Sequence, residues 1–238
     1  MDWWSKKPRR INVVVDNDSW VIPYAKELVV SLNGAGDKAI LVRDYAKVKA
    51  AEVSFYLGCV KITPSETLAK SKVNLVAHAS DLPKGRGFSP LTYMIVDGKN
   101  RIPLCLLEMA DDVDAGPIIY KEYIEYKGHE LVDELRRKLG EEQVRLCMKY
   151  LSQEKQLKGV PQKGKPSYYK RRKPEDSKLE IDQSIARQFD LFRVADNEKY
   201  PVFFEKDGHT YILKIEKKPL GGSSSQRGRG RSGSPGGA

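Results

Sequence analysis

The chain has 238 residues, of which 40% are apolar and 31% charged, and 42 basic against 32 acidic side chains give a formal net charge of +10. That length suits one ordinary domain with a small appendage, and the composition excludes wholesale disorder. No apolar run approaches the ~20 residues of a membrane span, and the polar, basic start lacks the apolar core of a secretory signal.

Taken in order, Ile11 to Val15 reads as a buried strand. Val21 to Leu32 reads as a helix, because Tyr24/Leu28 and Ala25/Val29 fall at four-residue spacing. Asn33 to Gly36 supplies its stop. Ala39 to Val42, Val53 to Leu57, Val73 to Ala77 and Ile102 to Leu107 are further strands. Ile118 to Tyr126 alternates like an edge strand. Glu130 to Gln156 is a long helix with Leu131, Leu135, Leu139, Cys147 and Leu151 on one stripe. Strand–helix–strand order predicts an α/β fold: a mostly parallel sheet with helices on its faces.

Residues 158–178 contain three prolines, two glycines and eight basic side chains, and read as a basic connector. Beyond it, Ile181 to Phe192 reads as a short helix. Val202 to Glu205 and Tyr211 to Ile215 flank Asp207-Gly208 as a hairpin. The expected units are 1–157, the linker 158–178, a small α+β appendage at 179–220 that docks on the first, and an unstructured Gly/Ser/Arg tail at 221–238. The edge-like strand at 118–126 and the Trp3/Trp4 pair are the candidate homodimer surfaces.

Divided by segment, the charge is uneven. The first ten residues carry +3, residues 158–178 carry +6 and the tail +3, while 11–157 and 179–220 each carry −1. A nucleic-acid binder spreads a basic stripe over a folded face. This nearly neutral body does not, so a nucleic-acid partner is not expected. Cys59, Cys105 and Cys147 are dispersed and odd in number, which predicts no disulfide framework, no metal site and a cytoplasmic location. The first strand leads into Asp16-Asn-Asp-Ser19 without the glycines that let a backbone approach a pyrophosphate, so nicotinamide or flavin dinucleotide binding is disfavoured.

The densest passage is Asn74-Leu-Val-Ala-His78-Ala-Ser-Asp-Leu-Pro-Lys-Gly-Arg-Gly-Phe-Ser-Pro90. A strand delivers His78 at its carboxyl end, where open α/β sheets bind ligands, and a glycine loop follows. A second passage is the acidic turn Met109-Ala-Asp-Asp-Val-Asp114-Ala-Gly-Pro117. Together, His78-Ala-Ser-Asp-Leu-Pro83, Lys84-Gly-Arg-Gly87 and Asp114-Ala-Gly116 resemble the 10-formyltetrahydrofolate-dependent formyltransferases over about residues 11–155. The Ser-Asp-Leu-Pro-Lys-Gly-Arg-Gly run is similar to the nucleotide-sugar branch, including enzymes of pseudaminic-acid precursors. Arg172 to Ser177, Arg193 to Pro201 and Phe203 to Gly208 resemble the same branch. The tRNA branch carries a larger C-terminal barrel.

The resemblance implies a Rossmann-like formyltransferase domain. It further implies formyl transfer from 10-formyltetrahydrofolate, the co-substrate, to the amine of a nucleotide-linked 4-amino-4,6-dideoxy sugar, for cell-surface polysaccharide synthesis. His78, kept cationic by Asp114, would donate to the oxyanion that develops, and Asp114 would relay the amine's proton. The family asparagine usually stands two residues before the histidine. Here that position is Val76, and Asn74, on the same strand face, is the candidate replacement. The backbone of Asp111, Asp112 and Val113 would bind the pterin edge, with Leu57, Ile102 and Leu104 as apolar walls. Candidate substrate contacts are Asp16, Asn17 and Trp20, Lys84 and Arg86 of the covering loop, and Asn197 and Tyr200 of the appendage. Asp18 or Ser19 reads equally well as a helix N-cap, and Asn197 and Tyr200 as hairpin packing. Methionyl-tRNA or a carrier-bound aminoacyl group is the alternative acceptor. A non-catalytic RNA-binding module using the linker and tail is a further alternative, in which His78 would be dispensable.

Overall fold

Runs of β-branched residues alternating with amphipathic stretches build a six-stranded sheet in a computed structural model that describes residues 3–218. The Arg-Gly run at 221–238 lies outside the described residues. In chain order the elements are β1 (Arg10–Val14), α1 (Ile22–Gly34), β2 (Lys38–Val42), β3 (Ala51–Tyr56), α2 (Ser65–Leu68) and β4 (Ser71–His78). They continue with β5 (Arg86–Gly87), α3 (Pro90–Val96), β6 (Arg101–Glu108), β7 (Ile118–Glu125) and α4 (Val132–Leu151). Last come β8 (Tyr168–Tyr169), α5 (Phe189–Arg193), β9 (Val202–Lys206) and β10 (His209–Leu213).

The sheet order is β2-β1-β3-β4-β6-β7. Strands β2, β1, β3 and β4 run parallel, and β6 and β7 are antiparallel additions, so β7 is the edge strand expected from its alternation. The odd-numbered residues of β1, β3 and β4 face one large core with α1, α3 and α4, including Val13, Phe55, Leu75, Leu28, Ile95 and Leu139. The opposite face carries smaller clusters around Val14, Val42 and Tyr56 and around Leu82, Cys105 and Leu107. The long helices therefore share one face, where helices on both faces were expected. That leaves the second face of β4 and β6 to loops.

Three further expectations change. Trp4 is 2% exposed, edge-on to Tyr150 at 5.1 Å, and donates to the Gln153 carbonyl, so it is core and no dimer surface. Neither Asp18 nor Ser19 caps α1: Val21 is its N-cap, Asp18 pairs with Arg43 at 2.8 Å, and Pro23 presets the first turn. Ile181 to Phe192 does not form one helix. Ile181 and Ile185 are 50% and 70% exposed. Neither gains burial, so in that range only a 3-10 turn at Ile185–Gln188 and the short α5, which buries Phe192, form. The C-terminal elements dock through Arg193, 1% exposed, which donates to Asp190 and to the Glu130 carbonyl, and through an Arg136–Asp196 pair at 2.8 Å.

Candidate active site

Strand β4 ends at His78, which is 6% exposed. Its Nε2 lies 2.8 Å from the Gly85 carbonyl oxygen and its Nδ1 lies 3.4 Å from Asp114 Oδ2. Both ring nitrogens face acceptors, and a proton on each would satisfy both. Asp114 sits in the left-handed region, φ 50°, which aspartate tolerates better than most residues. Its Oδ2 also accepts the Gly87 N–H at 2.8 Å. The glycine loop thus touches both members of the pair, with the Gly85 carbonyl on one side and the Gly87 amide on the other.

Two glycines are demanded by close approach. A Cβ on Gly87 (φ 95°) would lie 2.7 Å from the Tyr169 carbonyl oxygen, and one on Gly116 would overlap the Glu108 carbonyl oxygen. The Asp114 turn therefore lies flat on the end of β6. The exposed residues Asp111, Asp112 and Val113 form its outer rim.

The other predicted residues divide. Leu57, Ile102 and Leu104 are at most 1% exposed and belong to the α1/α4 core. His78 pairs with Cys105 across β4 and β6, so residues flanking Cys105 by one position face away from it. The apolar neighbours on the histidine's face are Leu82, Cys105 and Leu107. Asn74 donates to the Leu68 carbonyl (2.9 Å) and accepts from the Tyr56 hydroxyl (3.3 Å), closing the end of α2. Asp16 accepts from Val60 and Lys61 amides, Asn17 and the Tyr45 hydroxyl, and Asn17 also donates to the Gly58 carbonyl. Burial would raise the Asp16 carboxyl, yet these hydrogen bonds outweigh it and hold it below its ordinary value. Trp20 packs edge-on to Tyr24. Lys84 is exposed on the loop. Arg86 is buried, donating to Gln162 at 2.8 Å. Asn197 pairs both ends of its amide with the Ile215 backbone, which pins the end of the hairpin, and Tyr200 is 44% exposed.

Among the described residues no group of three or more His, Cys, Asp or Glu is disposed to hold a metal ion, and no helix is long and apolar enough to cross a membrane.

A family model described as formyl transferase matches residues 19–151, more than half of the chain and all of the His78–Asp114 region. The chain belongs to the formyl transferase family. A methionyl-tRNA formyltransferase of Thermodesulfovibrio yellowstonii is 29% identical over 163 residues, 66% of this chain and 52% of that protein. The chain thus spans about half the length of the curated relatives it matches. Among solved structures, a methionyl-tRNA formyltransferase from Clostridium thermocellum has the same fold, with a TM-score of 0.75 at 20% identity over 90% of this chain and 95% of that one. So does a 4-N formyltransferase from Francisella tularensis, with a TM-score of 0.66 at 16% identity over 90% of this chain and all of that one.

The His78–Asp114 site extends past the matched region. Residues 158–178 read as a connector, yet 158–170 form a strap over the loop and the turn. Val160 bridges Ile118, Ser167 accepts the Gly85 N–H at 3.0 Å, and β8 pairs in parallel with β5. Gln162 donates to the Asp114 and Gly116 carbonyls at 2.7 and 2.9 Å. Tyr169 stacks on Tyr93 of α3 at 4.4 Å. Of the basic run, Arg171 lies over Phe88 and Arg172 over Tyr93, so it is anchored beside the same loop. The one signal in the sequence was Tyr168-Tyr169, a strand-forming pair within a polar stretch.

Proposed function

We propose that this protein transfers a formyl group from 10-formyltetrahydrofolate to the amine of a nucleotide-linked deoxyamino sugar, the 4-amino-4,6-dideoxy sugars being the first class to test. The observation that carries formyl transfer is the pair of buried His78 and half-buried Asp114 clasped by the Gly85–Gly87 loop. The exposed rim at Asp111–Val113, beside an aspartate in left-handed backbone, fits a flat heterocycle that needs main-chain partners. The co-substrate supplies a formyl carbon that an amine attacks, with negative charge developing on the formyl oxygen.

His78 serves that charge. Its Nε2–H already points at a carbonyl oxygen, that of Gly85, which holds the place of the formyl oxygen until substrate displaces it. Such a donor is fixed before the reaction and needs no reorganisation as charge builds. Asp114 faces Nδ1 and orients the ring. Its carboxylate takes the proton released by the amine and passes it to the departing folate nitrogen as the old carbon–nitrogen bond breaks. Asn74 has no part here. It lies four residues before His78 along an extended strand, roughly 13 Å away at ~3.3 Å per residue.

The sugar acceptor is supported by the Ser80-Asp-Leu-Pro-Lys-Gly-Arg-Gly87 run and by the near-neutral body. A second reading, methionyl-tRNA as acceptor, is favoured by the names of the curated relatives. Release of tetrahydrofolate on mixing the protein and 10-formyltetrahydrofolate with a panel of nucleotide amino sugars, or with charged initiator tRNA, tests both. Turnover should appear with a sugar nucleotide and vanish in His78→Ala. Turnover with tRNA alone, falling steeply with salt as counterion release requires, would establish the second reading instead. Full activity in His78→Ala would remove both.

A further inference from the structure

We infer that Gln162 is a positioning residue of the formyl-transfer site, setting the orientation of Asp114 from outside the family-matched region. The inference rests on the function proposed above.

Every polar atom of the Gln162 amide is committed. The nitrogen donates to the carbonyls of Asp114 (2.7 Å) and Gly116 (2.9 Å), and the oxygen accepts from Arg86 Nη2 (2.8 Å). One of these carbonyls belongs to Asp114 itself, the residue whose backbone is left-handed, φ 50°, and the other lies two residues after it. Such a conformation is held by its surroundings, because an L side chain gains nothing from it. Gln162 supplies that hold on the carbonyl side. The Gly87 amide supplies it on the carboxylate side. Both restraints belong to one assembly, since Arg86–Gly87 is the strand that pairs with Tyr168–Tyr169 a few residues after Gln162. Arg86 has a buried Nε without a partner, and its Nη1 reaches only the Tyr168 hydroxyl, at 3.4 Å. The Gln162 oxygen is therefore its main acceptor, and the guanidinium pulls the glutamine into the geometry that serves Asp114. A carbonyl that accepts a hydrogen bond fixes the peptide plane on which the Asp114 Cα turns. A displacement of about 1 Å at a reacting group costs up to ~100-fold in rate.

Two variants of the full chain separate positioning from mere packing. Gln162→Ala removes all three contacts. Gln162→Glu keeps the acceptor for Arg86, now charge-assisted, and replaces the shared donor with an oxygen that repels both carbonyls. Steady-state kinetics, thermal unfolding and hydrogen exchange at the Gly87 amide are measured for each. The expected result is kcat lower by about tenfold to a hundredfold in both, with KM for either substrate within a few-fold of the parent. The Gly87 amide should exchange faster in both variants because its acceptor has moved. Parent-like kcat in Gln162→Glu, or a loss confined to KM, would overturn the inference. So would unchanged Gly87 exchange. That exchange reading needs no turnover, so it still decides the role of Gln162 if the unaltered protein formylates nothing.

Discussion

Asn74 and Val76 show how one residue separates a motif from its chemistry. Burial pushes the Tyr56 phenol up to about 12, and its hydroxyl donates to the Asn74 oxygen. With its nitrogen on Leu68, the asparagine is a fastening for α2. Asn74→Ala should lower stability by about 1–3 kcal/mol, for two lost partners in a half-buried site, and leave kcat within about twofold. Denaturant unfolding and tetrahydrofolate release measure the two. A loss of kcat without a loss of stability would return Asn74 to the reaction. Asp114→Asn keeps the shape of its side chain and removes the proton acceptor. It should cost kcat ~10²–10⁴-fold in the same assay, with the melting temperature little changed. The sequence was informative at His78 and Asp114, whose spacing and flanking glycines are visible in one dimension. It was silent at Gln162, because a hydrogen bond from one side chain to two distant carbonyls leaves no periodic trace.

Among elements, the β1–α1 loop and the loop after β3 are joined at Asp16, which accepts from both its neighbour Asn17 and the amides of Val60 and Lys61. A carboxyl held below its ordinary value by folding contributes stability above the unfolded value of ~3.9, and loses it as pH falls through the lower folded value. Asp16→Asn should therefore melt below the parent at pH 7, with the gap closing as pH falls from about 5 towards 2. A gap independent of pH would show that the carboxylate's charge is not what the loops use. Strands β1 to β4 and helices α1 and α4 were legible because each buries an apolar stripe of the right period. The faces were harder. His78 and Cys105 share a side only because β6 runs antiparallel in a register that depends on the loop and α3 between them. One step of register assigns Ile102 and Leu104 to the wrong side. Helix α3 begins at Pro90 and is only seven residues long, too short for a period to emerge.

At the scale of the molecule, basic side chains of the first ten residues and of the 158–178 segment are structural parts. Arg9 lies in the +3 leader, yet it is 4% exposed and grips Asp37 through two hydrogen bonds of 3.0 and 2.7 Å, with a third to the Leu151 carbonyl. Breaking a buried pair from one side leaves the other charge uncompensated, so Arg9→Ala should destabilise the protein by about 3–5 kcal/mol. Denaturant titration would show it, and a change below about 1 kcal/mol would mean that Asp37 finds water or another partner. Charge by segment was countable from the sequence. That the 158–178 segment folds back was not, since its proline- and glycine-rich composition is that of a free connector.

That return has a consequence for how the protein comes into being. Synthesis runs from the N-terminus, and the six sheet strands leave the ribosome before Tyr168 and Tyr169 are made. Joining Arg86 to Tyr168 then closes a long loop whose entropic cost rises only slowly with its length, so the delay carries little penalty. A nascent chain can therefore hold all six sheet strands while the strap over His78 and Asp114 is still missing.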